Sequence, residues 1–179
     1  MIYWRVNIFQ FILIFFLVTK ISSKIEFTNL KCTSLDKDFT DFDYCYIKSI
    51  NRTYKYVSLK VKLYKVPITN VTVNFSFMKR SSGYKLFLYN ITADACKFLK
   101  NPKSNPVLGY MYGLFKSHSN MNHTCPFDHD LVMEKVSSDF INNQLTQMLP
   151  FPEGEYLFKT NWMAYGILRA SVNAYVTLT

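Results

Sequence analysis

Residues 54–78 read YKYVSLKVKLYKVPITNVTVNFSFM and alternate between apolar and polar side chains on both sides of Pro67. The apolar positions are Val57, Leu59, Val61 and Leu63 before the proline, and Val71, Val73, Phe75 and Phe77 after it. A period of two places each set on one face of a β-sheet, whereas a helix would scatter the same residues around its circumference. Because proline cannot donate to a strand ladder, Pro67 is expected at a corner or an edge. We predict a long β-hairpin with one apolar and one polar face.

The alternation extends outward from this stretch to most of the chain. Further strands are predicted at 25–32, 44–51, 84–92 and 129–136, and as an alternating pair at 156–163 and 168–177. The strand at 84–92 has apolar residues at both its odd and its even positions, and therefore on both faces. We expect it to be a central strand or to cover a cavity. Residues 137–148 fit either a short helix or a loop. Seven to eight strands separated by turn signals predict an all-β, immunoglobulin-like antiparallel sandwich.

One segment changes from strand to helix periodicity. Asn105 is a suitable N-cap, and Pro106 suits the first helical position. Gly109 and Gly113 each weaken a helix by about 1 kcal/mol relative to alanine, but they leave a smooth stripe for close approach. We therefore predict a short helical insertion that packs closely on the sheet.

The amino terminus has the composition of a secretory signal peptide. Arg5 precedes an apolar run from Ile8 to Val18, and the small residues Ser22 and Ser23 follow. The run is too short for a membrane span, which needs about 20 residues, and its flanks match a cleaved signal. We predict a signal peptide at residues 1–23, with a helical apolar run, and a single secreted, extracellular domain at residues 24–179.

Five sites carry the acceptor pattern for N-glycosylation, which agrees with secretion. The asparagines are Asn51, Asn70, Asn74, Asn90 and Asn122. Asn70 and Asn74 fall on the polar parity of their strand, where a glycan could project into solvent.

Positive charge is concentrated in residues 54–85, which hold seven lysines and arginines and no acidic residue. Strand alternation alone explains much of this pattern as a solvated outer face that resists edge pairing. The other interpretation is attraction to an anionic membrane surface or an acidic partner.

Four cysteines allow three disulfide pairings, and sequence alone does not choose among them. We predict Cys32–Cys45, which closes the first loop, and Cys96–Cys125, which joins the two ends of the helical insertion.

Residue patterns for catalysis or metal binding are weak. His118, His123, Cys125, Asp128 and His129 lie close together, but their irregular spacing does not match zinc sites. The chain has only five glycines, with no nucleophile elbow and no phosphate-binding loop. We predict no enzymatic activity, no catalytic residues, no cofactor, no metal and no nucleic-acid partner.

Several segments together resemble a known family. They are Ile25-Glu-Phe-Thr-Asn-Leu-Lys-Cys32, the run Gly83 to Leu99 with its Asp-x-Cys-x-Phe-Leu ending, Asn120-Met-Asn-His-Thr-Cys-Pro126, and Pro150-Phe-Pro-Glu-Gly-Glu-Tyr156. The chain resembles the insect family of small secreted proteins of unknown function that is similar to CheB pheromone-response proteins. That resemblance implies a sandwich related to the ML lipid-recognition and ganglioside activator superfamily, which holds apolar molecules between two sheets. It offers no catalytic residues.

Two functions follow from these observations. The first is a carrier of an apolar ligand, such as a lipid, fatty acid or hydrocarbon, with chemosensation as the implied setting. Its cavity would be lined by Val57, Leu59, Val61, Val73, Phe75, Phe77, Tyr156, Phe158, Trp162, Leu168 and Val172. The second is a monomeric extracellular domain with a closed core that binds a protein such as a membrane receptor. A continuous apolar cavity of about 300 Å³ or more would favour the carrier, and native packing density would favour the second.

Overall fold

The computed structural model describes residues 24–51, 54–145 and 151–179, which form eight strands and three α-helices. The strands are β1 (Ile25–Ser34), β2 (Thr40–Ser49), β3 (Lys55–Leu63), β4 (Val71–Ser81), β5 (Gly83–Asp94), β6 (Leu131–Ser137), β7 (Gly154–Ala164) and β8 (Ile167–Leu178). The helices are α1 (Ala95–Lys100), α2 (Pro106–Gly113) and α3 (Ser138–Leu145). The predicted signal peptide lies outside the described residues.

The strands form two antiparallel sheets. One has five strands in the order β1-β8-β7-β4-β5, and the other has three in the order β2-β3-β6. The buried core contains apolar side chains from both sheets, among them Phe27, Val57 and Phe75. The fold is therefore an all-β antiparallel sandwich with short helices, which confirms the predicted fold class.

The predicted hairpin is wrong, although its two strands are correct. β3 pairs with β2 and β6, whereas β4 pairs with β5 and β7. The chain crosses from one sheet to the other near Pro67, and Ile68 makes an isolated bridge with Phe127. Alternation specifies which face of a strand is buried but not its partner, so β3 and β4 meet face to face across the core.

β5 differs from the expectation of a central strand because it is an edge of the five-stranded sheet. Its register slips where Ser76 pairs with Asn90 but Met78 pairs with Leu86, which leaves extra residues in β5. Leu86 and Leu88 are exposed on the outer face of β5, whereas Phe87 and Tyr89 on its other face pack against the core.

The helical insertion begins as predicted. The Asn105 side chain accepts a hydrogen bond from the Leu108 amide and Pro106 is the first residue of α2. A Cβ at Gly109 would lie 3.0 Å from the carbonyl oxygen of Pro102, and at Gly113 it would meet no atom within 4 Å. The close approach is therefore to the preceding turn and not to the sheet, which corrects the predicted contact.

Both predicted disulfides are confirmed. Cys32 is bonded to Cys45 and Cys96 to Cys125, so no described cysteine is free. The first bond joins β1 to β2 across the two sheets, and the second ties α1 to the loop before β6. Among the described residues, no helix is long and apolar enough to span a membrane.

Candidate ligand cavity

A cavity of about 310 Å³ lies between the two sheets. Its wall combines strands of both sheets with α1, α2 and the segment before β6. Val57 and Leu59 of β3 line one side, and Val73 and Phe75 of β4 line the other. The alternation of residues 54–78 therefore supplies both walls because its two strands belong to opposite sheets.

The structure brings eight of the eleven predicted lining residues to this cavity. They are Val57, Leu59, Val61, Val73, Phe75, Phe158, Trp162 and Val172.

Phe77 and Tyr156 do not line the cavity but fill the core beside it. The Phe77 ring stacks on Tyr156 at 5.2 Å and on Phe158 at 4.6 Å between centroids. Phe151 and Phe87 contact Phe77 edge-on. This aromatic cluster closes the interior on one side, and burial raises the pKa of the Tyr156 hydroxyl.

Leu168, the third residue outside the cavity, is 40% exposed, and Arg169 lines the cavity instead. The reason is a register shift, since Trp162 pairs with Ala170 whereas Met163 pairs with Leu168. Arg169 is the extra residue of this bulge, which reverses the alternation on which the prediction of Leu168 depended.

The helical insertion and its neighbours contribute lining residues that strand alternation could not reveal. They are Ala95, Phe98 and Leu99 of α1, Leu108, Met111 and Tyr112 of α2, and Phe127 in the loop before β6, among others. The helical spacing of Leu108, Met111 and Tyr112 was the signal available in the sequence, because these positions share one helix face.

Polar groups in the wall are few and mostly paired within the protein. Thr40 Oγ1 donates to the Lys62 carbonyl oxygen at 2.8 Å. Thr160 Oγ1 donates to the Val172 carbonyl oxygen and accepts from Trp162 Nε1 at 2.9 Å. The Tyr112 hydroxyl donates to the Met121 carbonyl oxygen at 2.8 Å, and burial raises its pKa. The wall therefore presents an almost entirely apolar surface to a guest.

Within the described residues, four of the seven basic side chains between 54 and 85 pair with carboxylates: Lys55, Lys60, Lys62 and Arg80. Lys62 Nζ lies 2.7 Å from Asp43, and Lys60 lies within 3.5 Å of both Asp43 and Asp130. Arg80 Nη1 lies 2.6 Å from Glu155. This pairing agrees with the interpretation of a solvated outer face and reduces the charge available to an anionic surface.

The histidine cluster does not bring a set of metal ligands together. Cys125 is in a disulfide, and His123 Nε2 lies 2.8 Å from His129 Nε2. The described residues include no group of three or more His, Cys, Asp or Glu side chains that could hold a metal ion.

The sequon asparagines all lie at the surface, where four are exposed and Asn74 is half-buried. Asn74 Nδ2 donates to Asn90 Oδ1 at 2.8 Å and to Thr92 Oγ1 at 2.9 Å, so two sequons share one patch of the five-stranded sheet.

Fold and site together define a disulfide-bonded β-sandwich with an internal apolar cavity. Residues 73–158 match a family model described as "Protein of unknown function (DUF1091)". The matched segment begins in β4, includes all three helices and ends in β7. The match supports assignment to an uncharacterised family, and no curated protein gives a significant match.

Proposed function

We propose that this protein is a secreted, non-enzymatic binder or carrier of an apolar ligand held between its two sheets. The observation that carries the proposal is the apolar cavity of about 310 Å³. Ligand pockets commonly measure about 300–1,000 Å³ and are lined mainly by hydrophobic and aromatic side chains. A well-packed interior has few voids larger than a water molecule, so the cavity favours the carrier over a closed core.

The cavity volume limits the size of the ligand. An apolar cavity of about 150 Å³ stays dry and binds benzene. About 310 Å³ therefore suits a small single-chain molecule better than a lipid with several acyl chains. A short fatty acid derivative or hydrocarbon fits this limit, and the resemblance to pheromone-response proteins supports a chemosensory setting.

An extracellular location is supported by two disulfides and five surface sequons. Disulfides persist mainly in oxidising compartments, and N-glycosylation requires passage through the secretory route. We propose a signal peptide at residues 1–23, glycosylation at one or more sequons, and a relation to ML-type lipid-recognition domains.

The direct test is to isolate the protein from the medium of eukaryotic cells and identify its organic extract by mass spectrometry. A stoichiometric apolar molecule that also raises the melting temperature when added back supports the carrier. An empty extract, with no stabilisation by fatty acids, esters, sterols or hydrocarbons, would contradict it.

A cavity-filling variant makes the same test site-specific. Ala174 and Val172 line the cavity from β8, whereas Ser171 does not. Ala174→Leu combined with Val172→Phe should abolish ligand binding while the fold is retained. The larger side chains would occupy the cavity volume that the ligand needs. Ser171→Val is the matched control on the same strand and should bind normally.

A second candidate function is binding of a protein partner through an exposed apolar end of the sandwich. Tyr165 donates to the Pro67 carbonyl oxygen at 3.2 Å, and the Leu35 amide donates to the Arg169 carbonyl oxygen at 2.8 Å. These two bonds bring the β1–β2 connection, the β3–β4 connection and the β7–β8 turn together at one end of the sandwich. The exposed apolar residues there are Leu35, Tyr64, Val66, Tyr165, Ile167 and Leu168. Exposed apolar patches mark interaction sites. Replacing Leu35 and Ile167 with serine should abolish receptor binding but leave ligand binding intact.

A further inference from the structure

Two sequons lie side by side on the outer face of the five-stranded sheet. Asn74 of β4 pairs with Thr92 of β5, and Ser76 pairs with Asn90. The sequon of Asn74 ends at Ser76, and that of Asn90 ends at Thr92. The two asparagine side chains are in contact, since Asn74 Nδ2 lies 2.8 Å from Asn90 Oδ1. A glycan on either residue therefore has to fit against the other.

The contacts of Asn74, which is half-buried, leave no room for a glycan. One hydrogen of its Nδ2 is donated to Asn90 Oδ1 at 2.8 Å and the other to Thr92 Oγ1 at 2.9 Å. N-glycosylation joins Nδ2 to the anomeric carbon of a sugar. Nδ2 loses a proton, and the bond from that carbon to the phosphate of a lipid-linked oligosaccharide donor breaks. Because the sugar replaces one hydrogen, at Asn74 it would break a hydrogen bond and occupy the position of the acceptor.

Asn90 is exposed and has the opposite arrangement. Its Oδ1 accepts from Asn74 Nδ2 and from Ser76 Oγ at 3.2 Å. Its Nδ2 donates to no group in the described part of the chain. A sugar on Nδ2 leaves Oδ1 able to keep both hydrogen bonds, and an exposed position accommodates a bulky glycan. Asn74 and Ser76 would then orient the amide that links the glycan to β5.

The strand that carries Asn90 is a free edge. Within the described residues β5 pairs with β4 alone, so one row of its backbone N–H and C=O groups has no strand partner. Leu86 and Leu88 lie on the same outer face as Asn90 and are 56% and 44% exposed. At about 3.3 Å per residue, Leu88 is about 7 Å from Asn90 along the strand. An uncovered edge with exposed apolar side chains is a template for pairing with another chain.

We infer that Asn90, and not Asn74, carries a glycan in the folded protein, and that this glycan shields the free edge of β5 from pairing with a second copy of the chain. The inference rests on the secretory location proposed above. Glycan transfer precedes folding, so chains modified at Asn74 can form. These chains lose a hydrogen bond of Nδ2 and should be depleted from the folded, secreted protein. The contact that the glycan prevents would be isologous, with two β5 edges antiparallel.

The first experiment maps glycan occupancy on the full-length protein secreted by eukaryotic cells. Enzymatic release of the glycans in water enriched in heavy oxygen converts each occupied asparagine to a labelled aspartate, which mass spectrometry of peptide fragments locates. Asn90 should be labelled and Asn74 should not. Label at Asn74, or an unlabelled Asn90 beside a labelled Asn51 or Asn122, would overturn the inference and leave the carrier function standing. The absence of label at every sequon would contradict secretion as well.

The second experiment measures the oligomeric state by light scattering over a range of protein concentrations. The unaltered protein should be monomeric, and Asn90→Gln should shift to a dimer because the edge is uncovered. Asn122→Gln, which removes an exposed sequon in the loop before β6, is the control and should stay monomeric. Leu88→Lys added to Asn90→Gln should restore the monomer, since charge on an edge strand opposes pairing. Trimming the glycans of the folded, unaltered protein with an endoglycosidase should also give the dimer, which separates shielding from a folding defect.

The shielding role has clear contrary outcomes. A dimer of the unaltered protein, a monomer in both Asn90→Gln and the trimmed protein, or a dimer that persists with Leu88→Lys would each overturn it. Ligand binding is a separate measurement, because Asn90 does not line the cavity. Failure of the unaltered protein to bind any apolar ligand would contradict the carrier function and leave the inference about Asn90 standing.

Discussion

At the scale of the residue, Ser58 shows how a polar side chain can be required inside a strand. Ser58 is 0% exposed, and its Oγ accepts a hydrogen bond from the Lys135 amide at 2.9 Å. The bond forms where the register between β3 and β6 shifts, and Lys135 has a φ of 52° there. Ser58 thus satisfies an amide that the bulge removes from the regular ladder.

We expect Ser58→Ala to lower the free energy of unfolding by about 1 kcal/mol because it removes the acceptor of the Lys135 amide at a part-buried position. Chemical denaturation would measure the loss. Ser81→Ala, at an exposed position at the end of β4, is the control and should change stability little. Equal losses in both variants would contradict the role assigned to Ser58.

Tyr44 carries a second residue-scale prediction. Its hydroxyl donates to the Glu134 carboxylate, and this hydrogen bond raises the Tyr44 pKa to about 12. Since the folded pKa exceeds the unfolded value of 10.0, the contribution to stability is present below pH 10 and is lost as the pH rises toward 12. Burial also raises the pKa of Tyr112 and Tyr156, so an alkaline titration followed by ultraviolet absorbance should show one fewer late-ionising tyrosine in Tyr44→Phe than in the unaltered protein. An unchanged number in that variant would contradict the assignment to Tyr44.

Single residues also show where sequence reasoning succeeds and where it stops. Alternation correctly assigned Val57, Leu59, Val73 and Phe75 to the cavity wall because β3 and β4 are regular at these positions. It failed at Leu168, since one extra residue in β8 exchanges the inward and outward positions. A bulge depends on the pairing of two strands, and no pattern within a single strand reveals it.

At the scale of the element, the same limit explains the predicted hairpin. β3 and β4 are adjacent in sequence and both are amphipathic, so a hairpin was the simplest pairing. The pairing actually formed is selected by contacts remote in sequence, such as β4 with β7. The helix at Pro106 was predictable because the Asn105 cap is local, whereas the helix at Ser138–Leu145 was ambiguous. Local sequence signals therefore predicted the strands and the capped helix, whereas contacts between residues distant in sequence determine which strands pair.

The disulfide at α1 carries the prediction for this scale. Cys96 and Cys125 are separated by 29 positions and Cys32 and Cys45 by 13. In the chain-entropy model these closures stabilise by about 3.6 and about 2.9 kcal/mol respectively. Because the longer closure also holds α1 beside the cavity, Cys96→Ala with Cys125→Ala should lower stability and increase hydrogen exchange across residues 95–127. Ligand affinity should fall as well.

The matched control is Cys32→Ala with Cys45→Ala, which removes a link between β1 and β2 away from α1. This variant should lose stability but keep its protection in residues 95–127. Identical exchange patterns in the two variants would show that the bond at Cys96 has no particular role in holding the cavity wall.

At the scale of the whole molecule, ion pairs connect strands and make stability depend on acid. Hydrogen bonding from Lys24 lowers the Glu26 pKa from 4.5, with Lys55 of the opposite sheet 3.6 Å away. Hydrogen bonding from Lys62 lowers the Asp43 pKa from 3.8 and joins β2 to β3. In both cases the folded state binds its proton less tightly than the unfolded chain.

The contribution of these carboxylates is therefore present above about pH 4.5 and is lost as the pH falls through their lowered pKa values. We expect the melting temperature to fall below pH 4.5, and Glu26→Gln combined with Asp43→Asn should flatten that part of the curve. Glu153→Gln is the control, since Glu153 is exposed and makes no ion pair within the described residues. A double variant as acid-sensitive as the unaltered protein would show that other carboxylates govern the acid response. In that case the surface ion pairs would only neutralise charge on the basic strands, and the disulfides and the apolar core would hold the two sheets together.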